Sequence, residues 1–196
     1  LFRSEDLKTD EIVILIDASY LEKIGHTMRD FFSHIVKRKL PKADLPALIE
    51  GLALDAGIRP GDNHIQVIFI HPNLLQKLTF CEPSDLNEEL HSVAFRSNLG
   101  EFSFSSFSTE ALTSSDSMVA DFAQALSVSQ GTRQVILVGD MALYGDETVK
   151  ALQEAKDREV CHFSIDPNEA ARFPFRHCNL GYSLLHALGV RPEELE

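Results

Sequence analysis

Positive charge is scarce in this chain. Eighteen Lys and Arg stand against thirty Asp and Glu, a formal net charge of −12. Broad, non-specific nucleic-acid binding rests on cations that neutralise phosphates, so this balance disfavours it. Any nucleic-acid contact would need a local basic patch or a bound metal. Cysteine is scarce too. Cys81, Cys161 and Cys178 are odd in number and scattered, which argues against a disulfide framework and predicts a reducing, cytoplasmic compartment. No apolar run approaches the ~20 residues that span a bilayer, so no membrane partner is expected. The opening stretch, LFRSEDLKTDE, is polar and acidic and is not a secretory signal. No Gly-rich loop follows the first apolar strand, which argues against a dinucleotide fingerprint or a P-loop. Ser19 has no nucleophile-elbow context.

What is present fits one domain over residues 1–196, with 1–10 and 189–196 as terminal extensions, the last of them an acidic, mobile tail. The 196 residues, 44% of them hydrophobic and 24% charged, suffice for a sizeable core. Ile12–Ile16 is an unbroken β-branched-rich run, the pattern of a strand buried on both faces. Leu21, Ile24, Met28, Phe31, Phe32, Ile35 and Val36 then recur at helical spacing, and Pro41 follows the basic cluster Lys37-Arg38-Lys39. Asp44 reads as the N-cap of a helix over Leu45–Ala56, with Pro46 in its first turn. His64–Ile70 is a second strand. Leu74–Cys81 reads as a strand or an irregular return. Ser84 or Asp85 caps a short helix through Leu90. Glu101–Phe107 alternates as a half-exposed strand. A Ser/Thr-rich loop over Ser108–Ser115 precedes helix Asp116–Leu126. Strand Gln134–Gly139, helix Asp146–Glu154, strand Glu159–Ile165 and helix Asn179–Leu188 complete the order. Strands alternating with helices predict an α/β three-layer sandwich with a mostly parallel sheet.

Two buried strands end alike: VILID at Asp17 and VILVGD at Asp140. Ligands in open α/β sheets bind outside the carboxyl ends of the strands. Adjacent strand ends lie about 5 Å apart, so Asp17 and Asp140 can face one another, with Asp121 reaching in from the helix before the second strand. Clustered carboxylates repel, and Mg²⁺ or Mn²⁺ would relieve that repulsion and activate a water for phosphoryl transfer. Asp17 also has a purely local reading, as a cap for the helix that follows.

The elements IVILIDASYL, DSMVADFAQAL and QVILVGDMALY occur in an order that resembles the PIN-like nucleases, their NYN branch in particular. That resemblance implies a PIN-like, Rossmann-like sheet and metal-dependent cleavage of RNA. Asp17, Asp121 and Asp140 would be the catalytic metal ligands, with Asp116 and Asp146 as auxiliaries. The chain departs from the family pattern at Ala142, where a second acid usually follows the Gly-Asp pair. It departs again at Lys156-Asp157-Arg158, where a glycine usually precedes the closing strand, and at Ala18-Ser19-Tyr20, which lack the amide that often follows the first Asp. The alternative is therefore a catalytically inactive PIN-like binding or regulatory module, with a protein partner as the alternative to RNA.

The remaining candidates have bland readings beside them. His162, His177, Cys161 and Cys178 suggest zinc, but strand alternation sends Cys161 and His162 to opposite faces. Buried cysteines and surface histidines account for the four residues more simply. Lys37-Arg38-Lys39 reads as a solvated helix end or a phosphate contact. Arg172–Arg176, interleaved with Phe173 and Phe175, reads as a loop pinned by apolar residues around Pro174 or as a nucleic-acid contact.

Overall fold

A computed structural model describes residues 10–109, 115–153 and 157–196, excepting the side chains of 115–117. Its elements in order are β1 (Ile12–Asp17), α1 (Ala18–Ile35), β2 (Ala43–Asp44), α2 (Leu45–Asp55), β3 (Asn63–Pro72), β4 (Cys81–Glu82), β5 (Val93–Ser97) and β6 (Gly100–Thr109). There follow α3 (Ser115–Val128), β7 (Gln134–Val138), α4 (Met141–Leu152), β8 (Glu159–Ser164), α5 (Glu169–Arg172), β9 (Arg176–Asn179) and α6 (Leu180–Ala187). Seven strands form one sheet in the order β5-β6-β3-β1-β7-β8-β9, and β2 pairs with β4 apart from it. All pairings in the large sheet are parallel except β5 with β6. The fold is α/β, a mostly parallel central sheet with helices around it.

β1 lies at the centre because its side chains satisfy both faces. Ile12, Ile14 and Ile16 join a core with Leu21 of α1, Leu48 and Leu52 of α2 and Leu184 of α6. Val13 and Leu15 join a second core with Phe122 and Leu126 of α3 and Leu152 of α4. Each fully buried Ile or Leu contributes about 1.5–3 kcal/mol of apolar transfer, so a polar residue in this strand would be costly on either side. The chain crosses β1 between β6 and β7: β3 and β6 lie to one side, β7 and β8 to the other. The carboxyl ends of β1 and β7 therefore flank the point where the strand order reverses, where open α/β sheets form a crevice.

Several expected elements differ. The short helix from Ser84 or Asp85 to Leu90 is a set of turns. Asp85 Oδ1 accepts from Asn87 N and Glu88 N, while Glu89 Oε2 accepts from Ser84 N and Asp85 N. The caps form and Leu86 and Leu90 are buried in the core, but the segment follows them as turns and does not propagate a helix. Leu74–Cys81 is an irregular return that reaches only the two-residue β4. The helix expected from Asp146 begins five residues earlier, at Met141, and bends at Tyr144 (φ −130°, ψ 17°). The expected mobile tail is docked: Pro192–Leu195 form a 3₁₀ turn, and Glu194 receives a two-pronged contact from Arg38 at 2.8 and 2.9 Å. The same guanidinium donates to the Gly189 carbonyl, so the central cation of Lys37-Arg38-Lys39 is committed to the tail. The core of the Ser/Thr-rich loop, residues 110–114, and the end of the Asp146–Glu154 helix lie outside the described residues. Among the described residues, no helix is long and apolar enough to cross a membrane.

Candidate functional site

Asp17 stands at the end of β1, 4% exposed, and its local reading is realised. Its Oδ1 accepts from Ser19 N at 3.0 Å and from Tyr20 N at 3.3 Å, capping α1. The other oxygen, Oδ2, accepts from the Tyr144 hydroxyl at 2.7 Å. That hydroxyl in turn accepts from the Asp140 backbone N–H at 2.9 Å. One phenol thus ties the ends of β1 and β7 together. Burial and the adjacent Asp17 carboxylate push the Tyr144 pKa far up, so the phenol stays protonated and donates.

Two local features bring Tyr144 here. The bend in α4 turns its side chain back over the strand ends. Gly139, the last residue before Asp140, leaves the room: a Cβ there would fall on the Tyr144 hydroxyl.

β1 and β7 are neighbours, as the carboxylate reading requires. The rest of that arrangement is not assembled. Asp140 precedes α4 without a side-chain capping bond. Asp121 is exposed on α3, whose Val119, Phe122, Ala123 and Leu126 pack inward. Asp146 is exposed and faces Arg172 at 3.6 Å. The Asp116 side chain lies outside the described residues. Among the described residues, Asp17, Asp121 and Asp140 do not form a group with ligand oxygens all within 4.8 Å of one another.

Another set does. Among the described residues, one group of three potential ligands has its donor atoms within 4.8 Å of one another: His162, Glu169 and His177. His162 on β8 pairs directly with His177 on β9, so the alternation that separates Cys161 from His162 brings the two imidazoles onto one face. Their ring centroids are 4.9 Å apart. Glu169 descends from α5, its Oε2 3.8 Å from His162 Nε2. His162 is not a surface residue but fully buried, against the edges of Phe173 and Phe175. Burial, with His177 beside it, pushes its pKa down to about 4. Burial raises Glu169, opposed by a hydrogen bond from Ser164. Ser164 also holds His177, with Oγ 2.9 Å from Nε2. Cys161 packs in the core on the opposite face, and Cys178 packs against that same core, so neither thiol belongs to this group.

The two sets border one another. Tyr20, raised by burial, feels the charges of Glu169, Asp140 and Asp166. His71, at the end of β3, is also buried. The sequence signal for the second set was present but weak: a histidine at the centre of EVCHFSI, a strand that otherwise reads as buried.

No curated protein and no solved structure matches the chain. One family model does, over residues 6–195. The chain belongs to the family described as "Family of unknown function (DUF6621)".

Proposed function

We propose that this chain is a PIN-like domain that works as a binding or regulatory module, without carboxylate-cluster nuclease chemistry. The supporting observation is the Tyr144 bridge. A carboxylate nuclease needs the first-strand Asp to offer an oxygen to a metal ion. Here Oδ1 of Asp17 serves the cap of α1 and Oδ2 holds the Tyr144 hydroxyl. Both Asp17 oxygens are thus engaged by protein donors, and among the described residues Asp121 and Asp140 do not join it as a three-ligand group, which disfavours Mg²⁺ or Mn²⁺ with their several oxygen ligands. The parallel strands β6-β3-β1-β7-β8 support the PIN-like reading, because their order is the doubly wound 3-2-1-4-5. Helices packed against both cores support a three-layer sandwich. The net charge of −12 favours a protein partner over RNA.

The competing reading is Mg²⁺- or Mn²⁺-dependent RNA cleavage, favoured by the adjacency of β1 and β7. Mn²⁺ calorimetry on the wild type and on Asp17→Asn separates the two. No Asp17-dependent binding is expected at millimolar Mn²⁺, and no Mn²⁺-dependent cleavage of single-stranded or structured RNA. Saturable Mn²⁺ binding that Asp17→Asn abolishes would overturn the proposal and restore the nuclease.

A further inference from the structure

We propose that His162, Glu169 and His177 bind one transition-metal ion of the zinc class, through one nitrogen of each imidazole and one carboxylate oxygen. The site lies on β8 and β9, beside the β7 end of the Asp17–Tyr144 bridge, and does not rest on the reading of that bridge.

The first support is unmet hydrogen bonding. Neither His162 nitrogen has a hydrogen-bond partner, and neither does Glu169 Oε2, although all three atoms are buried. Buried polar atoms are nearly always satisfied, because leaving one bare forfeits its interaction with water. A single cation answers one imidazole and the bare carboxylate oxygen together. The second support is spacing. Nitrogen and oxygen ligands about 2.0–2.2 Å from a tetrahedral ion stand roughly 3.4 Å from each other. The His162–Glu169 separation of 3.8 Å needs only a small inward movement to reach this. The third is support from behind. Ser164 fixes the His177 ring at 2.9 Å, and Phe173 and Phe175 pack against His162. Metal-bound imidazoles are commonly held in this way by an outer hydrogen bond and an apolar wall.

The donor set names the class of ion. Two imidazoles and one carboxylate suit zinc and its divalent neighbours better than Mg²⁺ or Ca²⁺, which prefer oxygen alone. Three protein ligands leave a fourth position for water or a further group, as in His₂Glu zinc sites. The ion would also clamp β9 and α5 onto β8. Those are short elements, of four residues each in β9 and α5, with little apolar surface of their own.

The test uses the whole protein, stripped with a chelator and titrated with Zn²⁺ and then Co²⁺. We expect one equivalent to bind, a visible Co²⁺ spectrum showing nitrogen and oxygen ligands in a four- or five-coordinate site, and a higher Tm with Zn²⁺. Glu169→Gln keeps the side-chain shape and His162→Ala removes a ligand. Each is expected to weaken Zn²⁺ binding by more than about tenfold. Circular dichroism checks that both variants fold, and Glu169→Gln serves if His162→Ala does not. Exposed His64→Ala should bind as the wild type does. Absence of stoichiometric binding would overturn the proposal. So would binding that survives both ligand substitutions, or binding lost in Asp17→Asn and kept in Glu169→Gln.

Discussion

Replacing Tyr144 by Phe removes one oxygen and leaves the ring. The lost hydroxyl donates to a buried carboxylate at 2.7 Å and accepts from the Asp140 N–H at 2.9 Å. A hydrogen bond to a charged group contributes about 1.5–3 kcal/mol, and a buried donor left unpaired costs about 1–3 kcal/mol. Phe is easier to bury than Tyr, which offsets part of this. The net expectation is a loss of roughly 2–4 kcal/mol. In a chain of this length each kcal/mol moves Tm by about 2–4 °C, so the variant should melt about 5–15 °C lower. Urea unfolding at pH 7 gives the free energy, and its slope should stay unchanged, since the surface exposed on unfolding is nearly the same. A double-mutant cycle with Asp17→Asn isolates the pair and should show coupling of about 1–2 kcal/mol. A loss below about 0.5 kcal/mol with no coupling would refute the bridge and remove the support it lends to the proposed function.

The same site carries a second substitution. Gly139→Ala should destabilise the protein by driving a methyl into the Tyr144 hydroxyl, and combined with Tyr144→Phe it should cost less than the sum, by denaturant unfolding. In the core, Phe122→Ala should cost about 3–5 kcal/mol by the same assay, since its ring is fully buried between α3 and the sheet. Acid should destabilise the metal-free protein through His162. Its folded pKa of about 4 lies below the ordinary 6.5, so the unfolded chain binds more protons between those values. That contribution is whole above pH 6.5 and lost as pH falls toward 4, at most about 3 kcal/mol. Glu169, raised by burial, acts oppositely, its contribution falling as pH rises through its folded pKa. Comparing wild type with His162→Gln at pH 7 and pH 5 isolates the histidine, whose removal should flatten the acid loss.

Hydrophobic pattern made the centre of the sheet legible. β1 holds five apolar residues in a row, Ile12–Ile16, β3 and β7 hold four each, Val67–Ile70 and Val135–Val138, and the stripe from Leu21 to Val36 marks α1. The periphery carried no such signal. β5 reads VAFRS and β9 reads RHCN, too short and too polar to stand out, and both exist because a longer neighbour offers its edge. α4 begins at Met141, but exposed Ala142 and Leu143 and the bend at Tyr144 hide its first turn. The site divides in the same way. Asp17 and Asp140 could be found because they end apolar runs. What Asp17 touches depends on a tyrosine 127 residues away. His162, Glu169 and His177 come from strand, helix and strand, and their approach depends on a β8–β9 register that no local periodicity encodes.

The two edges of the sheet bear on how the protein behaves in a crowded solution. An exposed strand edge is a template for another chain, and long, flat, apolar edges invite it. The ten-residue strands β3 and β6 would be such templates. Neither is an edge. β5 folds back over β6 as a five-residue cover, with Arg96 between Asp62 and Glu101, and the far side closes on four-residue β9, which opens with Arg176. Short, charged borders leave little backbone for lateral pairing, so five-residue β5 shields ten-residue β6 from a neighbouring chain. Cutting back β5 would turn the row of Phe102 and Phe104 into an open seam along which copies of the chain could stack.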